Sequence, residues 1–286
     1  MRLRSLLFVP GDRPDRVEKA FASGADALLL DLEDSVVLAA KDKARSAVAE
    51  VLRQSRPAPV FVRINPLGSG LAEADLEAVM AERPDGIVLP KAEGARSMTA
   101  LDARLSEHER RRGIALGRTV VLPIATETPA AIFRLGEYAG PRLAALTWGA
   151  EDLPAVVGAL SVREADGRYT PPLEVVRALA LFAAAAAGVP AIETIYPQFK
   201  DIDGLIAYAA RGARDGFSGM LALHPAQVAP INAAFTPAPE DVARAKAVVD
   251  AFAASPAAGV VVLDGHMLDA PHLAKARQVL SRSGSG

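Results

Sequence analysis

The chain is constrained most by a repeat of short apolar segments: SLLFVP at 5–10, ALLLDLED at 27–34, PVFVRIN at 59–65, GIVLP at 86–90, VVLPIATE at 120–127, LAALTWGAED at 143–152, AIETIY at 191–196 and GMLALHP at 219–225. Between them lie stretches whose apolar residues recur at helical spacing, such as RPDRVEKAFASGA, VLAAKDKARSAVAEVL and LEVVRALALFAAAAAG. Strands that are apolar almost throughout need cover on both faces, so their alternation with helices implies a parallel sheet. Eight such units predict a (β/α)₈ TIM barrel; a doubly wound open sheet shows the same alternation and is the competing architecture. A length of 286 residues suits a one-domain barrel, and a hydrophobic content of 51% supplies its core.

After the eighth unit the pattern changes. TPAPEDVARAKAVVDAFAASP (236–256) reads as a Pro-bounded helix, and GVVVLDGHMLDAPHLAKARQVL (259–280) as an extended piece, a turn and a last helix. The expected organisation is a barrel over 1–235 and a C-terminal extension over 236–286, with Asp264 to Asp269 polar and turn-like, as in a lid that packs on a neighbouring subunit.

Composition removes several function classes. A net charge of −2 offers no general attraction to nucleic acid or anionic membranes, and Arg110-Arg111-Arg112 after Glu107-His108-Glu109 reads as the solvated end of a helix. Cysteine is absent, so any metal must be held by oxygen or imidazole. Pro10-Gly11-Asp12 cuts the first apolar run below the length of a signal-peptide core, and ALALFAAAAAG at 178–188 is too short for a membrane span, which together lead to an expected cytoplasmic location. No Gly-x-Gly-x-x-Gly or phosphate-loop pattern occurs, which disfavours dinucleotide and nucleoside triphosphate chemistry.

The apolar segments deliver polar residues at their C-terminal ends: Asp12 and Arg13, Glu33 and Asp34, Arg63 and Asn65, Lys91, Glu127, Glu151 and Asp152, Glu193, then His224. In a barrel these converge on one mouth, where active sites of the fold lie. If Glu127 and Asp152 end neighbouring strands ~5 Å apart, the two carboxylates share either a proton or a cation. Mg²⁺ suits them, because it takes one or two protein carboxylates and keeps its other positions for water and substrate. The competing account is helix-terminus electrostatics, with Thr126 or Thr128 capping and Pro129 as the first helical residue, and Asp152-Leu-Pro opening a second helix. Arg63 suits a carboxylate or a developing enolate oxygen, with an ion pair to Glu33 as its structural alternative. Lys91 suits a Schiff base, an anion site or a pair with Glu93, and His224-Pro225 reads as a structural turn or a histidine supporting the site from behind, with a catalytic base as the alternative. A divalent metal, an arginine and a mobile acid suggest carbon–carbon bond cleavage or formation beside a carboxylate and a carbonyl.

Taken in order, LLFVPGDRPDRVEKA, DALLLDLEDSV, KDKAR, VRINPLGSG, GIVLPKAE, ATETP, WGAEDL, LALHPAQV and the DGHMLDAP tail resemble the citrate lyase β-subunit-like family of the HpcH/HpaI aldolase superfamily over nearly the whole chain. The resemblance implies a (β/α)₈ barrel assembled as a homotrimer or hexamer. It implies a Mg²⁺-dependent lyase that cleaves or forms a 3-hydroxyacyl-CoA thioester such as malyl-, citramalyl- or citryl-CoA. Carried over by position, Arg63 binds substrate and stabilises the enolate, Glu127 and Asp152 hold the metal, Glu127 also touches substrate, and Asp269 exchanges a proton with the acetyl methyl in a neighbouring subunit's site. Three positions depart from the family pattern: Met220 replaces a common lysine, Glu193 an aspartate, and His266 a lysine. The same resemblance leaves open a citrate lyase β subunit acting on an acyl-carrier thioester, a malyl-CoA thioesterase, and a non-enzymatic metabolite-binding scaffold.

Overall fold

The computed structural model describes residues 1–256 and 258–284. The chain divides into two compact units, residues 3–232 and 233–286. In the first, eight parallel strands follow one another: β1 (Ser5–Pro10), β2 (Ala27–Asp31), β3 (Val60–Arg63), β4 (Gly86–Leu89), β5 (Val120–Pro123), β6 (Leu146–Thr147), β7 (Ala191–Glu193) and β8 (Gly219–Ala222). Consecutive strands pair from β1 to β5 and from β6 to β8, and β8 pairs with β1. Two isolated bridges, Val121 with Leu143 and Ile124 with Thr147, join the β5 and β6 segments, and the Ala125 N–H donates to the Thr147 carbonyl at 2.9 Å. The two edges therefore meet, which makes this a (β/α)₈ barrel and removes the open-sheet alternative.

Leu6, Leu29, Phe61, Val88, Leu122, Ile192 and Leu221 form one buried cluster, with a residue from seven of the eight strands. Strand β2 is buried at every position, which is why its sequence shows no polar alternation. Helices cover the outside. In Lys41–Arg53, Ala44, Val48, Val51 and Leu52 form the buried stripe, and each large apolar side chain so buried contributes roughly 1.5–3 kcal/mol. Helix Gly94–Arg111 ends in the basic cluster, where Arg110 pairs with Glu107 and Arg112 with Glu77, but the end is only partly solvated, because His108 and Glu109 are buried. The alanine-rich segment lies in helix Pro171–Ala186, which buries Leu173, Val176, Ala180, Ala183 and Ala184 but leaves Val175, Leu179 and Phe182 exposed. Among the described residues no helix is long and apolar enough to cross a membrane.

Two of the expected strands are much shorter than their apolar segments. β5 stops at Pro123 rather than continuing to 127, and β6 keeps only Leu146 and Thr147 of 143–152. β6 offers just two residues of ladder, so beyond Pro123 only Ile124 and Ala125 still bond to neighbouring segments, at Leu89 and Thr147, and the chain leaves the sheet before Glu127. Glu127 and Asp152 are accordingly not the last residues of strands.

The second unit packs helices Pro239–Ala254 and Ala270–Ser283 with an antiparallel hairpin, β9 (Val261–Leu263) and β10 (His266–Leu268). Ala245, Val248, Val261, Leu268 and Ala276 form its core. Instead of a single extended piece, GVVVLDGHML is two strands joined by Asp264 and Gly265, at φ +50° and +76°. Positive φ at both central residues is what a two-residue type I′ hairpin demands, and Asp-Gly is its strongest sequence signal.

Candidate active site at the barrel mouth

At the C-terminal ends of the strands lies a cavity of about 600 Å³, and Asp31, Arg63, Glu127, Trp148, Asp152 and His224 line it. The structure thus brings together Arg63, Glu127 and Asp152, which arrive from three different parts of the chain. Asp12, Arg13, Asn65 and Glu193 do not line it. Arg13 pairs with Asp15 at the surface, while Asn65 is buried against Asp75 and the Leu32 carbonyl. Glu193 is wholly buried and accepts from Trp148 Nε1 at 2.6 Å, Tyr208 Oη at 2.9 Å and Arg177 Nε at 2.7 Å, so it is a structural acid of the interior.

Arg63 is placed by strand register. It is the last residue of β3 and stands opposite Asp31, the last of β2. Its Nε and Nη2 donate to the two Asp31 oxygens at 2.6 and 2.7 Å, a bidentate fork, and Nη1 lies 2.9 Å from Glu33 Oε2. Burial alone would favour the neutral guanidine, but the Asp31 hydrogen bonds outweigh it, so Arg63 is held more firmly protonated than usual. Asp31 is likewise opposed by burial and held below the ordinary carboxylate range by Arg63. The ion-pair alternative for Arg63 is therefore real, with Asp31 as chief partner, and it coexists with a position on the cavity wall. Sequence reasoning passed over Asp31; its two-residue spacing from Glu33, which puts both side chains on one face of an extended segment, was the available signal.

Lys91 connects the acids. Its backbone adopts φ +49°, a left-handed conformation costly for a side-chain-bearing residue, and its N–H donates to Glu127 Oε2 at 2.6 Å. Its ammonium lies 2.7 Å from Glu33 Oε1 and 3.4 Å from Asp152 Oδ1. Its partner is thus Glu33 rather than Glu93. Burial is again outweighed by these carboxylates, which raise its pKa above that of an ordinary lysine. An amine engaged by Glu33 and Asp152 is a poor nucleophile, which disfavours the Schiff-base reading.

Glu127 is buried and follows β5 on the loop 124–128. Thr128, not Glu127, caps the next helix: its Oγ1 accepts from Ala131 N at 3.2 Å, with Pro129 at the first helical position. Asp152 is the first residue of the short helix Asp152–Val157 and is about one-third exposed. Burial pushes the Glu127 carboxyl up to about 8, with the neighbouring Glu33 and Asp152 charges adding to the effect. Burial also raises Glu33. This corner of the mouth carries more negative charge than Lys91 and Arg63 neutralise, a condition that a divalent cation relieves. The donor set, two carboxylates open to a cavity, fits Mg²⁺. Among the described residues the one cluster of three potential ligands lies elsewhere, at Glu73, Glu77 and His108, where Arg112 already pairs with Glu77 and lies 2.8 Å from the His108 ring.

His224 accepts from Ala226 N through Nδ1 and stacks on Phe199 with ring centroids 5.2 Å apart, the structural turn expected of it. Met220 is buried in β8, and His266 is exposed in β10. Asp269 belongs to the second unit, where it precedes helix Ala270–Ser283 with Oδ1 2.6 Å from His272 Nδ1.

Residues 4–225 match the HpcH/HpaI aldolase/citrate lyase family. The chain is 35% identical to the citrate lyase subunit beta of Haemophilus influenzae, over 99% of this chain and 97% of that one. It is 31% identical to the mitochondrial citramalyl-CoA lyase of Rattus norvegicus, over 97% and 85% respectively. Among solved structures it resembles protein CitE from Mycobacterium tuberculosis in complex with magnesium, acetoacetate and coenzyme A, with a TM-score of 0.78, 33% identity and 98% of each chain covered.

Proposed function

The chain belongs to the HpcH/HpaI aldolase/citrate lyase family, and from that premise we propose that it is a Mg²⁺-dependent carbon–carbon lyase cleaving or forming a 3-hydroxyacyl-CoA thioester of the malyl, citramalyl or citryl type. The observation that carries the reading is the convergence of Arg63, Glu127 and Asp152 on one cavity. Glu127 and Asp152 are the residues that would hold Mg²⁺, with Glu127 also contacting substrate. When bound, the ion supplies Lewis-acid polarisation of the substrate carboxylate and the adjacent oxygen.

In the cleavage direction the substrate hydroxyl passes its proton to solvent water, its carbon becomes the keto carbon, and the electron pair of the broken carbon–carbon bond passes to the acetyl thioester as an enolate. Arg63 stabilises the enolate oxygen. The fork to Asp31 fixes the plane of the guanidinium, and its Nη1 edge, paired with Glu33, is the one left to address substrate. Asp269, from the second unit of a neighbouring subunit, returns a proton to the enolate carbon. The protein works in this reading as a homotrimer or hexamer in the cytoplasm.

The test is to incubate the protein with Mg²⁺ and a panel of malyl-, citramalyl- and citryl-CoA and to identify the products by mass. A 2-oxo acid together with acetyl-CoA or its homologue is expected, abolished by EDTA. No turnover of any thioester, or turnover indifferent to chelation, overturns the reading. Cleavage only of the same acyl group on a carrier protein supports the citrate lyase β reading, which the similarity to the Haemophilus influenzae subunit favours. Release of free hydroxy acid without a 2-oxo acid identifies a thioesterase. Asp269→Asn should be inactive alone and partly restored by mixing with Arg63→Ala subunits; no restoration in mixed oligomers removes the shared site.

A further inference from the structure

The proposed chemistry gives Thr126 no role and Thr128 takes the cap, yet Thr126 is fully buried beside the proposed metal ligands. Its Oγ1 donates to the Gly149 carbonyl at 3.0 Å and accepts from the Gly149 N–H at 2.9 Å. One hydroxyl thus satisfies both backbone groups of a residue 23 positions away, and it joins the two loops that carry Glu127 and Asp152. The contact is close because Gly149 has no side chain: a Cβ there would stand 2.9 Å from Glu127 Cγ and 3.3 Å from Glu127 Oε1. Glu127 is therefore seated against the backbone of the Asp152 loop, and the Lys91 N–H holds its Oε2 from the β4 side.

We propose that Thr126 and Gly149 form a clamp that sets the separation of Glu127 and Asp152, and that Thr126 is a positioning residue for the divalent cation. The inference rests on the metal role of those two acids. Backbone pairing between the two segments ends with the Ala125 N–H on the Thr147 carbonyl, so both acids lie beyond the last ladder bond and the Thr126 hydroxyl is the next link toward them. Lys91 also spans the two acids, with its N–H on Glu127 and its ammonium 3.4 Å from Asp152, but the Thr126 hydroxyl ties the two loops directly, and without it the carboxylates can drift apart. Groups that orient ligands typically govern metal affinity by tenfold or more.

Mg²⁺ binding to the metal-free protein, measured by titration calorimetry, tests the clamp apart from turnover. Thr126→Val keeps the shape and removes both hydrogen bonds, and should weaken Mg²⁺ binding by about tenfold or more; Thr126→Ser keeps the hydroxyl and should stay within about threefold of the parent. Gly149→Ala, which pushes on Glu127 directly, should weaken binding as Thr126→Val does, and it serves if the valine variant does not fold. Arg142→Met, a substitution at the opposite end of the barrel, controls for general destabilisation and should bind Mg²⁺ normally while melting lower. Unchanged affinity in folded Thr126→Val or Gly149→Ala overturns the clamp, as does equal weakening in Thr126→Ser or Arg142→Met. Glu127→Ala and Asp152→Ala separate the two claims: if they leave Mg²⁺ binding intact the metal reading itself falls, and if they abolish it while Thr126→Val does not, only the clamp falls.

Discussion

The two ends of the barrel treat buried charge differently. At the N-terminal end, Glu109 accepts from Gly117 N at 2.8 Å, Thr119 N at 3.0 Å and both Arg142 terminal nitrogens at 2.8 and 2.7 Å. Arg142 also donates to Asp102, the Thr119 carbonyl and Ser106. Burial opposes ionisation of Glu109, yet these donors hold its carboxyl below the ordinary range. At the mouth, Glu33 and Glu127 are raised instead, and Glu33 Oε2 accepts no hydrogen bond despite its nearby Arg63. Glu109 at the base is saturated with donors, and so is Asp31 at the mouth through Arg63 and two backbone N–H groups, whereas Glu33 and Glu127 are short of them. A carboxylate with every lone pair used holds a fold together; one that is under-satisfied and open to a cavity is ready to accept a cation or a substrate.

The comparison is broken most directly by swapping where substitutions take effect. Glu127→Ala should cut Mg²⁺-dependent turnover by about 10³-fold or more, roughly 4 kcal/mol of lost transition-state stabilisation, while circular dichroism stays that of the parent. Unchanged turnover would remove the metal hypothesis. Arg142→Met should do the reverse. It strands Glu109 as a buried charge at a cost of about 3 kcal/mol and lowers the thermal midpoint by several degrees, with turnover per folded molecule unchanged at 25 °C.

Glu109→Gln should cost about 2 kcal/mol at neutral pH, because an amide cannot accept all four donors. It also carries a pH signature. A carboxyl held low in the folded state adds stability above its unfolded pKa, and that increment disappears as pH falls through the folded value. The parent should therefore lose stability below about pH 4.5 more steeply than Glu109→Gln, as urea titrations across the acid range would show. Parallel acid limbs would mean that Glu109 is not the saturated anion described. Glu33→Gln gives the smallest effect, with the opposite sign. A carboxyl held high contributes stability below its unfolded pKa and loses it as pH rises through the folded value, so neutralising Glu33 should leave the unfolding free energy at pH 8 within about 1 kcal/mol of the parent or raise it. A loss as large as that of Glu109→Gln would erase the contrast between the two ends.

Much of this was legible in the chain. The eight apolar segments and their helical spacers announce a covered parallel sheet, since periodicity is a local property written residue by residue, and Arg63, Glu127 and Asp152 stand out as polar residues at the ends of apolar runs. Asp264-Gly265 marked a turn for the same local reason, although its two flanking strands were not separated. What escaped were the features that depend on partners distant in sequence. Asn65 and Glu193 carry the same end-of-segment signature as Glu127, and only packing shows that they are consumed by Asp75 and by Trp148, Tyr208 and Arg177. Asp31 matters through its register with Arg63, and Lys91 through a left-handed backbone that turns its N–H to one acid and its ammonium to two others.

Pattern and composition decide which segments are strands and which residue types reach the mouth, because burial and backbone preference act on neighbours along the chain. They do not decide which polar residue is satisfied by the interior and which is left facing the cavity. That distinction is a matter of hydrogen-bond donors counted in three dimensions, and the closure of the ring between the short β6 and β5, with Thr126 holding Gly149 across the gap, is where the tertiary structure makes it.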